Sequence, residues 1–229
     1  MASVSPAFAC VATAEQLRAY LMGLCPRDTL ARVRACPDPA PVPEGLVDIR
    51  IAAPAVVLLD APVWSDPELR FLVRPEVAER LARVVQVLPS DLRLGFWEGL
   101  RPLAVQRTLW GRGLEYLRGA LPSAADPELE SLLEQYVARP DGKRPPHSTG
   151  SAVDIAPVDA FGRIMTPEDA WGRVAVDLLA RALRDSGLAH YRPEWWHWSY
   201  GDEEWARAYD CAPLAFAATP EFDGPGGGI

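Results

Sequence analysis

The stretch from Tyr191 to Trp205, YRPEWWHWSYGDEEW, constrains the fold more than any other part of the chain. Trp195, Trp196 and Trp198 flank His197, Trp205 closes the run, and Glu194 stands just before the tryptophan pair. A carboxylate and an imidazole set among large aromatic rings are costly to bury unless they are paired or bound to a metal. Polar partners must therefore come from elsewhere in the chain. The segment that fits is His147 to Asp154, HSTGSAVD, in a sequence with only 3 histidines. Together the two segments offer two imidazoles and two carboxylates. That is the composition of a mononuclear zinc site: three ligands, one open position and a general base.

Side-chain parity tests whether these residues can meet. In a regular strand Ala152, Asp154 and Ala156 share a face, and the small neighbours leave Asp154 room to reach a metal. His147 precedes a Ser-Thr-Gly turn, so its ring can fold back to the same point. Without the turn at Gly150 the two side chains would face opposite ways. On the last strand parity groups His197 with Trp195 and Ser199. For Glu194 to serve the same site, it must lie before the regular strand, which Pro193 favours, or a bulge must turn it. Arg101 sits at a strand-to-helix corner pinned by Pro102, and is the candidate cation for an oxyanion. His190 has no partner in this pattern and is read as a non-ligand. Trp196 and Trp198 are read as core.

The 229 residues allow one sizeable core with appendages. The net charge of −8, with no lysine or arginine block, argues against nucleic acid or anionic membrane as partner. No run approaches the ~20 apolar residues of a membrane span. The N-terminus lacks a basic, then apolar, leader, so a cytoplasmic protein is expected. Cys10, Cys25, Cys36 and Cys211 have no CxxC spacing and read as free thiols.

The 23 prolines punctuate the chain. Thr13 to Gln16 is a capping box before an apolar face of Leu17, Tyr20, Leu21 and Leu24. The run Pro37 to Pro43 is a stiff connector, so residues 1–44 form an N-terminal helical segment. Residues 45–215 form the main domain. The tail 216–229, rich in glycine, is expected to be flexible. Within the domain, strands are expected at Leu46–Ile51, Leu92–Trp97, Ser151–Ala156 and Trp195–Tyr200. Helices are expected from Pro75 to about Val87, from Pro102 through Trp110, and from Asp126 to Val137. Another is capped by Thr166 and ended by Gly187, with a core stripe of Val174, Leu178, Ala182 and Leu183. No regular βαβ units join the strands. The expectation is an α+β fold with a small, largely antiparallel sheet flanked by helices.

HSTGSAVD, followed by EWWH and preceded by Gly99-Leu-Arg-Pro102, resembles the D-alanyl-D-alanine dipeptidases and the wider zinc-peptidase family that includes D-alanyl-D-alanine carboxypeptidases. LVDIRI at Leu46–Ile51 and the segment WWHWSYGD also resemble that family, over roughly residues 45 to 210. The resemblance implies one Zn2+ per chain held by His147, Asp154 and His197, with Glu194 as base and Arg101 stabilising the oxyanion. It also implies a small peptide substrate and a part in cell-wall chemistry. The chain departs from the pattern at Pro145, where the family carries Ser two residues before the first histidine. In place of the family's M-G-T-x-F-D stretch it has only Met165 to Asp169, with Asp169 as a replacement carboxylate or a helix-start residue. Two other readings stay open: an amidase with another small substrate, and a zinc-stabilised binding protein without turnover.

Overall fold

A computed structural model describes residues 45–60, 65–141 and 145–214. The capping box at Thr13, the Pro37–Pro43 connector, Cys10, Cys25, Cys36 and the glycine-rich tail lie outside the described residues.

The fold is α+β. In chain order the elements are β1 (Val47–Asp48), α1 (Ile49–Ala52), β2 (Val57–Leu58), β3 (Leu72–Val73), α2 (Pro75–Val87), β4 (Leu92–Glu98), α3 (Leu103–Ala120) and α4 (Asp126–Leu133). There follow a 3-10 turn at Pro146–Thr149, β5 (Ala152–Asp159), α5 (Ala170–Asp185), β6 (Ala189–His190), β7 (His197–Ser199) and α6 (Glu203–Ala208). Among the described residues β1 and β3 form an antiparallel pair, and five strands form a sheet in the order β2-β4-β5-β7-β6. All its pairings are antiparallel except β2 with β4. No helix of the described residues is long and apolar enough to cross a membrane.

The two faces of the sheet differ. Leu94, Phe96, Val153, Ile155 and Trp198 point to one side and pack with Val77, Leu81 and Val84 of α2 and Leu179 and Leu183 of α5. The other side carries Trp97, Ala156 and Val158, with Leu59 and Trp196 packed on them. Asp154 shares the parity of Ala156, so its carboxylate belongs to this second face. Leu109, Leu114 and Leu117 of α3 close on Leu129 and Leu133 of α4 in a separate cluster.

Several elements differ from the sequence expectation, each for a local reason. Only Val47 and Asp48 of the expected first strand pair with β3. The Asp48 carboxylate then accepts from Arg50 N at 2.8 Å and from the Arg50 guanidinium, which turns the chain into α1. Helix α4 stops at Leu133 rather than Val137. The carbonyl of Ala138 is instead taken by the Gln106 side chain at 2.6 Å, and Pro140 disfavours helix just before it. Helix α5 is capped by Asp169, whose Oδ1 accepts from Gly172 N at 2.7 Å, and not by Thr166. Its buried stripe is Ala175, Leu179, Ala180 and Leu183; Val174 and Leu178 are exposed at 52% and 39%. Strand β5 runs past Pro157 to Asp159. Ile155 N donates toward Trp196 O, so the missing Pro157 N–H lies on that same side, where β7 has already ended and no ladder bond is lost. The last strand is shortened to His197–Ser199, and β6 pairs on its outer edge.

Candidate functional site

The register of the sheet builds the site. Glu98 of β4 faces Asp154 of β5, and Asp154 faces His197 of β7, so the three stand in one row. His147 enters from the 3-10 turn that precedes β5. Gly150 ends that turn in the left-handed region, at φ 72°, and its N–H donates to His147 O at 3.1 Å. A Cβ there would come within 2.6 Å of Leu46 Cδ2. The conformation is one that L-residues avoid. Gly150→Ala is therefore expected to cost more than about 1 kcal/mol in urea unfolding. It should also loosen His147 relative to Asp154.

The turn and the Gly99-Leu-Arg corner are tied to each other in both directions. Arg101 N donates to His147 O at 3.1 Å, and the His147 ring donates from Nδ1 to Gly99 O at 2.8 Å. Because a carbonyl only accepts, the proton of the neutral ring sits on Nδ1 and the Nε2 lone pair faces inward. Nε2 lies 3.1 Å from His197 Nδ1 and 3.3 Å from Asp154 Oδ1, and the last two are 3.2 Å apart. His147 and Asp154 are each 5% exposed. Among the described residues this is the one group of three His, Cys, Asp or Glu side chains whose donor atoms converge as a metal would require.

The triangle fits a cation. His147 Nε2 and Asp154 Oδ1 are both acceptors, and two acceptors held this close in a buried place repel unless a proton or a metal lies between them. A tetrahedral zinc with bonds of about 2.0–2.1 Å holds its donors about 3.3 Å apart. Two imidazoles and one carboxylate are also an ordinary zinc donor set, and the Gly99 carbonyl behind His147 is the outer partner that orients such a ligand.

Glu194 lies before β7, the first of the two placements that parity left open. Its N–H donates to Tyr191 O at 3.0 Å, and its carbonyl receives His197 N at 3.1 Å. Its Oε2 is 3.8 Å from His197 Nδ1, beside the triangle but not part of it. No hydrogen bond reaches its carboxylate among the described residues. In the metal-free chain burial raises its pKa, and the nearby Asp154 adds to the rise against His197, His147 and Arg101.

Arg101 is clamped by side chains that the sequence reading did not single out. Nη2 and Nε donate to the Glu98 carboxylate at 2.5 and 3.3 Å, and Nη1 donates to Gln106 Oε1 at 3.0 Å. His190 pairs opposite Trp198 and stacks on its ring with centroids 4.6 Å apart. It thus lies on the sheet face away from the triangle. Trp196 and Trp198 are buried, at 8% and 2%. Asp169 is engaged as the α5 cap and lies outside the triangle.

The burial of His197 lowers its pKa, and its hydrogen bond and attraction to Asp154 more than reverse this, so the metal-free ring holds a proton above the usual histidine range. A proton and a metal compete for Nδ1. Below the raised pKa the ring is protonated and zinc must displace that proton; above it the nitrogen is free. The zinc affinity is therefore expected to climb with pH beyond ~6.5 before it levels off. Competition with a chelator across a pH series measures this, and a plateau already reached below the usual histidine range would contradict it.

No family model matches the chain, and no curated protein does. Among solved structures, the crystal structure of the vancomycin-resistance D,D-pentapeptidase VanY from a VanB-type resistance cassette, in complex with Zn(II), is similar. The likeness spans 61% of this chain and 79% of that one, at 16% sequence identity and a TM-score of 0.44.

Proposed function

We propose that this protein is a zinc-dependent hydrolase of a small peptide or amide, with a D-Ala-D-Ala-type dipeptide as the leading substrate class. The observation that carries the reading is the close triangle of His147 Nε2, Asp154 Oδ1 and His197 Nδ1, with the Glu194 carboxylate beside it, 3.8 Å from His197 Nδ1. The sequence resemblance of HSTGSAVD and EWWH to the D-alanyl-D-alanine dipeptidases supports the substrate class.

His147, Asp154 and His197 would hold the ion. Zinc at such a site supplies Lewis acidity, which polarises a carbonyl and lowers the pKa of water to about 7. The protein's own groups do the rest. Glu194 takes a proton from the attacking water on its free carboxylate oxygen and returns it to the leaving amine. Arg101 offers fixed N–H donors to the carbonyl oxygen as negative charge develops there. Gly99 O holds the His147 ring in the tautomer that aims Nε2 inward. A purely structural metal needs neither a free carboxylate nor a clamped arginine beside it, which weighs against the binding-protein reading.

The test is a mass-spectrometric screen of the zinc-loaded protein against D,D-, L,D- and L,L-dipeptides. Cleavage that disappears with chelator and returns with zinc is expected; no cleavage of any small amide would sink the reading. A finer expectation concerns the amino terminus. A dipeptidase recognises a free ammonium through an acceptor, and a buried ammonium without one is strongly disfavoured. Pro145 offers no hydroxyl and no N–H at the position where the resembled family has Ser, and Asp169 is spent on capping α5. N-acetyl-D-Ala-D-Ala should therefore be cleaved at a kcat/KM comparable to that of D-Ala-D-Ala. A preference for the free dipeptide above ~10³-fold, about 4 kcal/mol, would mean an acceptor lies elsewhere.

A further inference from the structure

Glu98 ends β4 and is 0% exposed. A carboxylate at that depth is costly unless its oxygens are filled. Three hydrogen bonds fill them: two from Arg101, and one from Ser65 Oγ to Oε1 at 2.6 Å. A bulge places it there. From Leu92 to Phe96 the β4–β5 register runs one for one, and then it slips, so that Glu98 rather than Trp97 faces Asp154. Without the slip Glu98 would stand opposite Val153 and point into the main core. With it, Glu98 joins the row of Asp154 and His197.

The other side of the guanidinium is held as firmly. Gln106, 1% exposed, accepts from Arg101 Nη1 and is itself fixed by donating Nε2 to Ala138 O. Arginine has five N–H donors in a rigid fork. Nε, Nη2 and Nη1 each commit one, which leaves a single N–H on each terminal nitrogen. After Glu98, the acidic groups whose charges act on Arg101 are Asp154 and Glu194. A mobile cation beside them would pair with Glu194 and block the base.

We propose that Glu98 and Gln106 are positioning residues that lock the Arg101 fork, so that its two remaining N–H groups form one rigid donor edge for an oxygen of the substrate. This rests on the hydrolase reading, in which Arg101 meets the developing oxyanion. A preorganised donor stabilises that charge without reorganising during the reaction.

Glu98→Gln keeps the shape and an acceptor for Ser65, but offers the fork one carbonyl instead of a carboxylate. Zinc content should not change. The kcat should fall by roughly 10²-fold, the cost of a misplaced catalytic group, while KM stays within about threefold. In an Arg101→Lys background, where the fork is already gone, the same substitution should change kcat by less than about threefold. Effects that simply multiply would show that Glu98 does not act through Arg101, and would overturn the proposal. If Glu98→Gln does not fold, Gln106→Met leaves the carboxylate pair intact and should still lower kcat with KM unmoved; an unchanged kcat would overturn it. A readout independent of turnover separates this proposal from the hydrolase reading. In arginine side-chain NMR of the zinc-loaded protein, the Arg101 Nε–H signal, assigned by its loss in Arg101→Lys, should be sharp and slow to exchange. It should broaden in Glu98→Gln, or in Gln106→Met if that is the variant that folds, and a signal left unchanged by the substitution would overturn the clamp even if the protein cleaves nothing.

Discussion

His197→Ala is expected to remove zinc and turnover together. In the folded chain His197 Nδ1 is 3.1 and 3.2 Å from the other two donor atoms, so it supplies one full corner of the triangle. Removing an outer partner of a ligand usually costs ~10–100-fold in metal affinity, and removing the ligand itself should exceed that range. The parent should carry about one zinc per chain by elemental mass spectrometry, as one site with an open position requires. The variant should carry none after dialysis. The strand itself should survive, because β7 is held to β5 and β6 through its backbone, but the metal-free variant should melt below the metal-free parent, because the buried Asp154 carboxylate loses the His197 ring it pairs with. His190→Ala is the control: it lies on the opposite sheet face and should keep zinc and activity. A His197→Ala protein that still binds one zinc and turns over would remove the proposed centre.

The parts of the fold legible in the sequence were those set by short-range signals. Pro75 and the spacing of Val77, Leu81 and Val84 give α2 its observed limits, Pro75–Val87. The alternation in Leu92–Trp97 gives β4. Elsewhere two local rules competed. Leu46–Ile51 alternates like a strand, but an aspartate within it can cap a helix, and the Asp48–Arg50 pair decides for the cap. In α5 the run Val174-Ala-Val-Asp-Leu-Leu179 is apolar on two adjacent stripes. Periodicity cannot choose between them, and packing in the main core with α2 selects Leu179, Ala180 and Leu183.

At the candidate site, residue type and turn chemistry singled out His147, Asp154, His197 and Glu194, because each is expensive to bury without a purpose, and the fold brings the donor atoms of the first three together. Gly150 had to break the parity between His147 and Asp154, and its positive φ does so. Glu98 and Gln106 were not legible. Their meaning depends on a bulge at Trp97 and on a loop carbonyl at Ala138, contacts set by register and by long-range packing rather than by neighbours in sequence. Glu98 does carry one signal, a carboxylate three residues before a corner arginine, but exposed pairs of that spacing are common on any surface.

Glu194→Ala should separate the base from the ligands. The Glu194 carboxylate stands 3.8 Å from His197 Nδ1, close enough to share a substrate but outside the set of converging donors. Its removal should therefore leave zinc content at the parent level. Turnover should fall by at least ~10²-fold, the usual scale of general acid–base catalysis. The loss should appear in kcat, because the proton transfer occurs in the transition state and adds little to ground-state binding. Glu194→Gln should match it, since an amide of the same shape still cannot take the proton. Glu194→Asp should retain part of the activity, because the proton acceptor survives but is drawn back by one methylene. This order, with Ala and Gln equally poor and Asp between them and the parent, is the signature of a base and not of a packing residue, for which Gln would be the mildest change. A Glu194→Ala protein within about threefold of the parent kcat would place the proton acceptor elsewhere.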